Sequence, residues 1–138
     1  MAPTYKISSV EGIGEKFTVK LKEAGIRSVN ALLEKGATRK GRKELAEKTG
    51  IDESKILEWV NRADLYRITG IGEEYSDLLE QAGVDTVKEL RNRNAENLYE
   101  ALKKTNTKGR AIVRQLPGLK QVSAWIDEAK KLPPKVTY

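Results

Sequence analysis

Apolar residues recur along this chain at helical spacing, and they do so twice in the same order. Tyr5, Ile7 and Val10 make a short apolar turn that ends at Gly12. After Gly14, the residues Phe17, Leu21 and Ala24 return every three or four positions, the period of one buried helix face, and Gly25 stops the helix as a C′ glycine does. Ser28 predicts the cap of a helix carrying Val29, Leu32 and Leu33, closed by Gly36. Thr38-Arg39-Lys40-Gly41-Arg42-Lys43 reads as a loop before a short helix near 43–48 that ends at Thr49-Gly50. Asp52 predicts the cap of a longer helix with Ile56, Val60 and Ala63 on one face, running through Leu65 into Ile68.

The second pass starts there. Tyr75, Leu78, Leu79 and Ala82 repeat the first helix up to Gly83, Thr86-Val87-Lys88-Glu89 reads as a capping box, and Asn94 caps a segment with Leu98 and Leu102. The loop Thr105 to Arg110 parallels the earlier basic loop. Leu119, Val122, Ile126 and Ala129 mark a closing helix stopped by Pro133-Pro134. Residues 7–32 laid on 65–90 share nine identities in 26 positions, among them Gly12-Ile13-Gly14 on Gly70-Ile71-Gly72, and Trp125 stands where Trp59 does. The pattern predicts an internal duplication, with units at 1–64 and 65–138 and no flexible linker between them. No stretch alternates like a strand. The expectation is an all-α fold in which two units, each too small for a thick core, pack as one compact helical array.

Charge adds a pattern to this frame. The chain of 138 residues carries 26 Lys and Arg against 20 Asp and Glu, a net charge of +6. Residues 35–43 hold five cations and no acid, 91–120 hold eight cations against Glu96 and Glu100, and 73–89 hold six acids against Lys88. Such basic clusters point to a polyanionic partner. With no cysteine and no histidine, a disulfide framework and the commonest acid–base and metal-ligating side chain are both missing. No apolar run approaches the roughly 20 residues of a membrane span, and the N-terminus has no secretory pattern. A cytoplasmic, intracellular address is expected, with no membrane partner.

Val10-Glu11-Gly12-Ile13-Gly14 with Phe17, Leu21, Ala24 and Gly25, and Ile68-Thr69-Gly70-Ile71-Gly72 with Tyr75, Leu79, Ala82 and Gly83, resemble helix-hairpin-helix motifs. Over residues 5–132 the chain also resembles a group of small tandem hairpin proteins of unsettled function. The resemblance implies non-sequence-specific binding of double-stranded DNA, in which amides of a Gly-x-Gly turn hold a phosphate oxygen with help from nearby cations. Elementary chemistry agrees, since glycines let an anion approach and a helix start offers free N–H groups with a favourable dipole. Carried onto this chain, Gly12, Ile13 and Gly14 form the turn, with Lys16 and Lys20 beside it. The basic loops add Arg39, Lys40, Arg42 and Lys43, and Lys108, Arg110 and Arg114, as phosphate neutralisers.

The second unit departs from the motif, because Lys16, Lys22 and Arg27 align with Glu74, Glu80 and Asp85. Acids at Glu73, Glu74 and Asp77 would repel a phosphate, so Gly70 and Gly72 read as structural and DNA contact belongs to the first hairpin. The same reversal motivates a rival reading without nucleic acid: self-association, with the basic first hairpin of one copy on the acidic second hairpin of another. Trp59 and Trp125 fall on apolar faces and read as core. Without a phosphate loop, a metal-ligand cluster or a paired-carboxylate signature, the sequence points to no enzyme, no cofactor and no small-molecule substrate. Nucleoid association follows from the leading reading.

Overall fold

The computed structural model describes residues 6–10, 12–107 and 113–138. Among them are a 3₁₀ turn at Ile7–Ser9 and eight α-helices: α1 (Glu15–Glu23), α2 (Val29–Gly36), α3 (Arg39–Thr49), α4 (Glu53–Leu65), α5 (Glu73–Gln81), α6 (Val87–Leu90), α7 (Ala95–Thr107) and α8 (Leu119–Lys131). No strand occurs among the described residues beyond one isolated bridge between Lys6 and Ser28. The fold is all-α, as the apolar periodicity requires.

Most helix starts are set by a side chain that accepts an otherwise orphaned amide. Ser28 Oγ takes Ala31 N at 3.1 Å, Asp52 Oδ1 takes Ser54 N at 2.8 Å, and Asn94 Oδ1 takes Asn97 N at 3.0 Å. Thr38 does the same for α3, accepting Gly41 N at 3.0 Å. The basic stretch expected as a loop is therefore the first turn of a helix, begun four residues earlier than its apolar residues suggest. Thr86 accepts Glu89 N at 3.2 Å, but the Glu89 carboxylate turns to Arg93 instead of closing a capping box. The Val87 amide goes to Asp64 of α4 at 2.8 Å.

Two apolar cores result. Ile7, Leu21, Leu32, Leu45, Ile56 and Trp59 head the first; Leu79, Leu90, Leu98, Leu102, Val122 and Trp125 head the second. Each fully buried aliphatic side chain contributes about 1.5–3 kcal/mol. Leu119, expected on the core face of α8, is 42% exposed at the first position of its helix, where no neighbour covers it. Helix α4 joins the cores by packing on α2, α3 and α5. Its last residues are buried on every side, which makes Asp64 (1% exposed) and Arg62 (6% exposed) interior charges. Asp64 accepts Arg67 Nη1 at 2.7 Å as well as the Val87 amide, so both carboxylate oxygens are satisfied. Tyr66 donates its hydroxyl to Ser9 O at 3.0 Å across the junction.

Beyond α8, residues 133–138 return to the first core. Val136 is buried in it, Thr137 N donates to Ala37 O at 2.8 Å, and Lys135 pairs with Glu34. Arg67 Nη2 holds Pro133 O at 2.6 Å on the way.

Candidate nucleic-acid interface

The first glycine turn is built by one required glycine and one unrequired one. Gly12 has φ +93°, and a Cβ there would stand 3.2 Å from Trp59 Nε1. Both facts disfavour a side chain. Trp59 also packs at a tilt of 57° against Phe17 of α1, with ring centroids 5.1 Å apart, so the core tryptophan braces the turn from beneath. The Ile13 side chain is buried and its amide donates to Val10 O at 3.1 Å, so Ile13 anchors the turn rather than facing outward. Gly14 precedes α1 with φ −83° and ψ −176°, extended backbone open to any residue, and a Cβ there would meet nothing within 4 Å. Having no side chain, Gly14 cannot cap α1, and the amides of Glu15, Lys16 and Phe17 have no helical acceptor.

The expected cations divide into separate places. Lys16 is exposed beside the turn, and Lys20 lines a groove with Glu23, Ala24, Lys48 and Thr49. Arg39, Lys40 and Lys43 are exposed in the first turns of α3. Arg39 lines a groove with Glu53, Leu57 and Tyr138, whereas Lys55 stands over Phe17 with Nζ 5.9 Å from the ring centroid. Because Lys55 is rotated about 200° from Glu53 on α4, the Arg39 cluster lies on the opposite flank of that helix from the turn. Arg114 is exposed in the second half, next to Gln115, whose carbonyl accepts the Tyr75 hydroxyl at 3.1 Å. Lys108 and Arg110 lie outside the described residues.

Arg42 requires a correction. It is 5% exposed, and its guanidinium donates to Gly36 O at 2.8 Å, Ala37 O at 3.2 Å and Thr137 O at 2.6 Å. It caps the C-terminal carbonyls of α2 and fastens the returning segment, with the Tyr138 ring 5.9 Å from the guanidinium carbon. Its donors are spent inside the chain, which leaves Arg42 buried and turned away from any phosphate.

The second turn repeats the first at Gly70, differs from it at Gly72 (φ −121°, ψ −150°), and has different surroundings. Gly70 has φ +90°, a Cβ there would lie 3.5 Å from Trp125 Nε1, and Tyr75 packs at a tilt against Trp125 with ring centroids 5.2 Å apart. Here the Thr69 amide is already held by the Glu128 carboxylate, at 2.8 Å to Oε2, and Glu73 and Glu74 are exposed at the helix start. The charge reversal has an internal cause as well. Arg62 reaches from α4 to Asp77 Oδ1 at 3.1 Å and Glu80 Oε2 at 2.8 Å, with Glu58 at 3.7 Å. Burial pushes the Glu80 carboxyl above its ordinary range, against the pull of Arg62 and with Glu58, Asp77 and Asp85 adding to the rise. Burial raises Asp85 likewise.

Residues 11–132 match the family model described as Domain of unknown function (DUF4332). The chain belongs to this family. No curated protein and no solved structure matches it. The DUF4332 match takes in both glycine turns and both tryptophans, while residues 133–138, which fasten to Arg42, fall outside it.

Two cations of this DUF4332 chain, Lys48 and Lys55, were not expected near the turn, yet the fold brings both to α1. The signal lay in the duplication: Lys55 precedes Trp59 by four residues, as Gln121 precedes Trp125, and Trp59 underlies the turn. Among the described residues no group of three or more acidic side chains is placed to hold a metal ion, and no helix is long and apolar enough to cross a membrane.

Proposed function

We propose that the chain is a pair of helix-hairpin-helix units that binds double-stranded DNA without reading bases, through phosphate contacts centred on the first glycine turn. Gly14 carries this reading. Its backbone suits any residue and its Cβ would strike nothing in the chain, so neither packing nor dihedral strain demands glycine there, and as the cap of α1 it leaves the space before the helix open. Space left open before three amides without helical acceptors is the space a phosphate oxygen needs. The near-equal φ values of Gly12 and Gly70, +93° and +90°, and the matched tryptophan supports, favour a common unit in which only the first turn has kept cations.

Lys16 and Lys20 supply charge beside the turn, and Arg39, Lys40 and Lys43 form a second patch. That patch opposes the dipole of α3, whose first turn holds no acid, so these cations do not serve the helix. An external anion would relieve them. Such binding would place the protein on the nucleoid. The self-association rival, as a contact between the first and second hairpins, loses part of its motive because Asp77 and Glu80 are engaged by Arg62 within the chain.

The test is a titration of random-sequence duplex and single strand at several salt concentrations. Neutralising about five phosphates gives a log–log salt slope of roughly −4.5. Replacing Arg39, Lys40 and Lys43 by Ala should flatten the slope and weaken all sequences alike. Absence of binding at low salt, or a slope near zero, would overturn the proposal.

A further inference from the structure

The junction between the two halves of the chain has a counterpart that lies open. Within the chain, α4 inserts Arg62 against acids of the second half, Asp77 and Glu80, with Asp85 lining the same groove beside Asn61. On the 58-residue offset of the duplication, Glu80 and Asp85 align with Lys22 and Arg27, and Asp64 aligns with Lys6. Lys6, Lys22 and Arg27 are all exposed and line one groove of about 300 Å³ with Ile7 and Ser8, without an acid. None of the three forms an ion pair among the described residues.

The inserting helix has a counterpart too. Helices α4 and α8 are both 13 residues long and are brought into register by Trp59 and Trp125, each set against the first glycine of its turn. In that register Asn61 becomes Asp127 and Arg62 becomes Glu128. The signs exchange on both sides: inside the chain the cation Arg62 meets acids, while α8 presents the exposed Asp127 beside Glu128, which also holds the Thr69 amide, and the open groove presents cations. A solvated surface has no reason to invert both members of a pair together. A repeated docking surface does, because unlike charges must still meet and the internal pairing must not be confused with the external one.

We propose that the face formed by Lys6, Lys22 and Arg27 receives α8 of a second copy, repeating the internal α4 junction with its charges exchanged. The contact is head to tail, so each copy leaves one groove and one helix free, and association grows into a ring or an open array. It is independent of the first glycine turn and of nucleic acid. It also differs from a contact between the two hairpins, since Asp77 and Glu80 of α5 are engaged by Arg62.

Sedimentation of the full chain over a concentration series decides the matter, run at an ionic strength of about 0.01 M, where the Debye length is about 30 Å. Wild type should associate with rising concentration and dissociate in salt. Lys22→Glu/Arg27→Glu and, separately, Asp127→Lys/Glu128→Lys should each be monomeric, and an equimolar mixture of the two should associate again. Asp127→Lys alone, which leaves the Thr69–Glu128 contact in place, should weaken association at least several-fold and covers the case in which Glu128→Lys unfolds its turn. Wild type that stays monomeric throughout, or association that neither set alters, overturns the inference. So does a wild type whose groove substitutions weaken duplex binding and leave its oligomeric state unchanged, since the groove would then belong to a polyanion.

Discussion

Arg42 offers the sharpest separation between a fold-bearing cation and a phosphate-contacting one. Its guanidinium makes three hydrogen bonds to main-chain carbonyls, two of them at the buried end of α2 and one to Thr137 at the surface. A hydrogen bond from a charged donor contributes about 1.5–3 kcal/mol. Taking the two buried bonds at the low end, and letting water replace the third, Arg42→Ala should destabilise by about 3 kcal/mol. Against a total stability of about 5–15 kcal/mol that is a large fraction, and it corresponds to a fall in Tm of roughly 10 °C for a chain of this size. Arg42→Lys is the more telling variant. Lysine keeps the charge but lacks the planar fork, so it can reach one carbonyl of the three and should still lose about 1.5 kcal/mol or more. A phosphate contact predicts the opposite ranking, with lysine close to wild type in duplex affinity and both variants unchanged in Tm. Thermal melts of the three proteins, read beside their duplex affinities, decide between the two. Arg42→Lys melting within about 1 °C of wild type would refute the structural role.

Two further outcomes follow from the same geometry. A carboxyl whose folded pKa is raised binds its proton more tightly when folded, so its contribution is present below the ordinary carboxylate pKa and is lost as pH rises through the folded value. Wild type should therefore lose stability relative to Glu80→Gln as pH rises above the ordinary carboxylate range, seen as a narrowing or reversal of their Tm difference; a difference constant with pH would contradict the burial of Glu80 beside Glu58, Asp77 and Asp85. Gly12→Ala should cost about 2 kcal/mol from its positive φ and the Trp59 contact, whereas Gly14→Ala should cost about 1 kcal/mol or less, the difference between glycine and alanine as a helix cap, and bind duplex several-fold more weakly. Equal stability losses at the two glycines would remove the argument from Gly14.

Local chemistry made much of the fold legible in the residues alone. The caps at Ser28, Asp52 and Asn94 and the glycine stops at Gly25 and Gly83 depend only on near neighbours, and all are made as their spacing implies. At Gly25 both bonds of the stop are present, Gly25 N to Lys22 O at 3.0 Å and Ile26 N to Leu21 O at 2.8 Å. What the sequence concealed depends on distant partners. Arg42 sits in an acid-free run with Arg39, Lys40 and Lys43, and nothing in that run says which cation turns inward. The clue was its place three residues before Leu45, on the core stripe of α3. Glu80 and Asp77 look like a surface acid cluster until Arg62, 15 residues or more away, is seen between them. Of the candidate site, the turn and Lys16 were legible; that α4 separates the Arg39 patch from it was not, because helix crossing is not written in periodicity.

Amide chemical shifts recorded by NMR during addition of a random-sequence duplex test the central claim most directly, because they report each glycine turn separately. The account predicts that the amides of Gly14, Glu15, Lys16 and Phe17 move with the duplex, in proportion to binding and reversibly in salt, while those of Gly72, Glu73, Glu74 and Tyr75 stay in place. Shifts of equal size at both turns, or none at the first while duplex binds elsewhere, would contradict it.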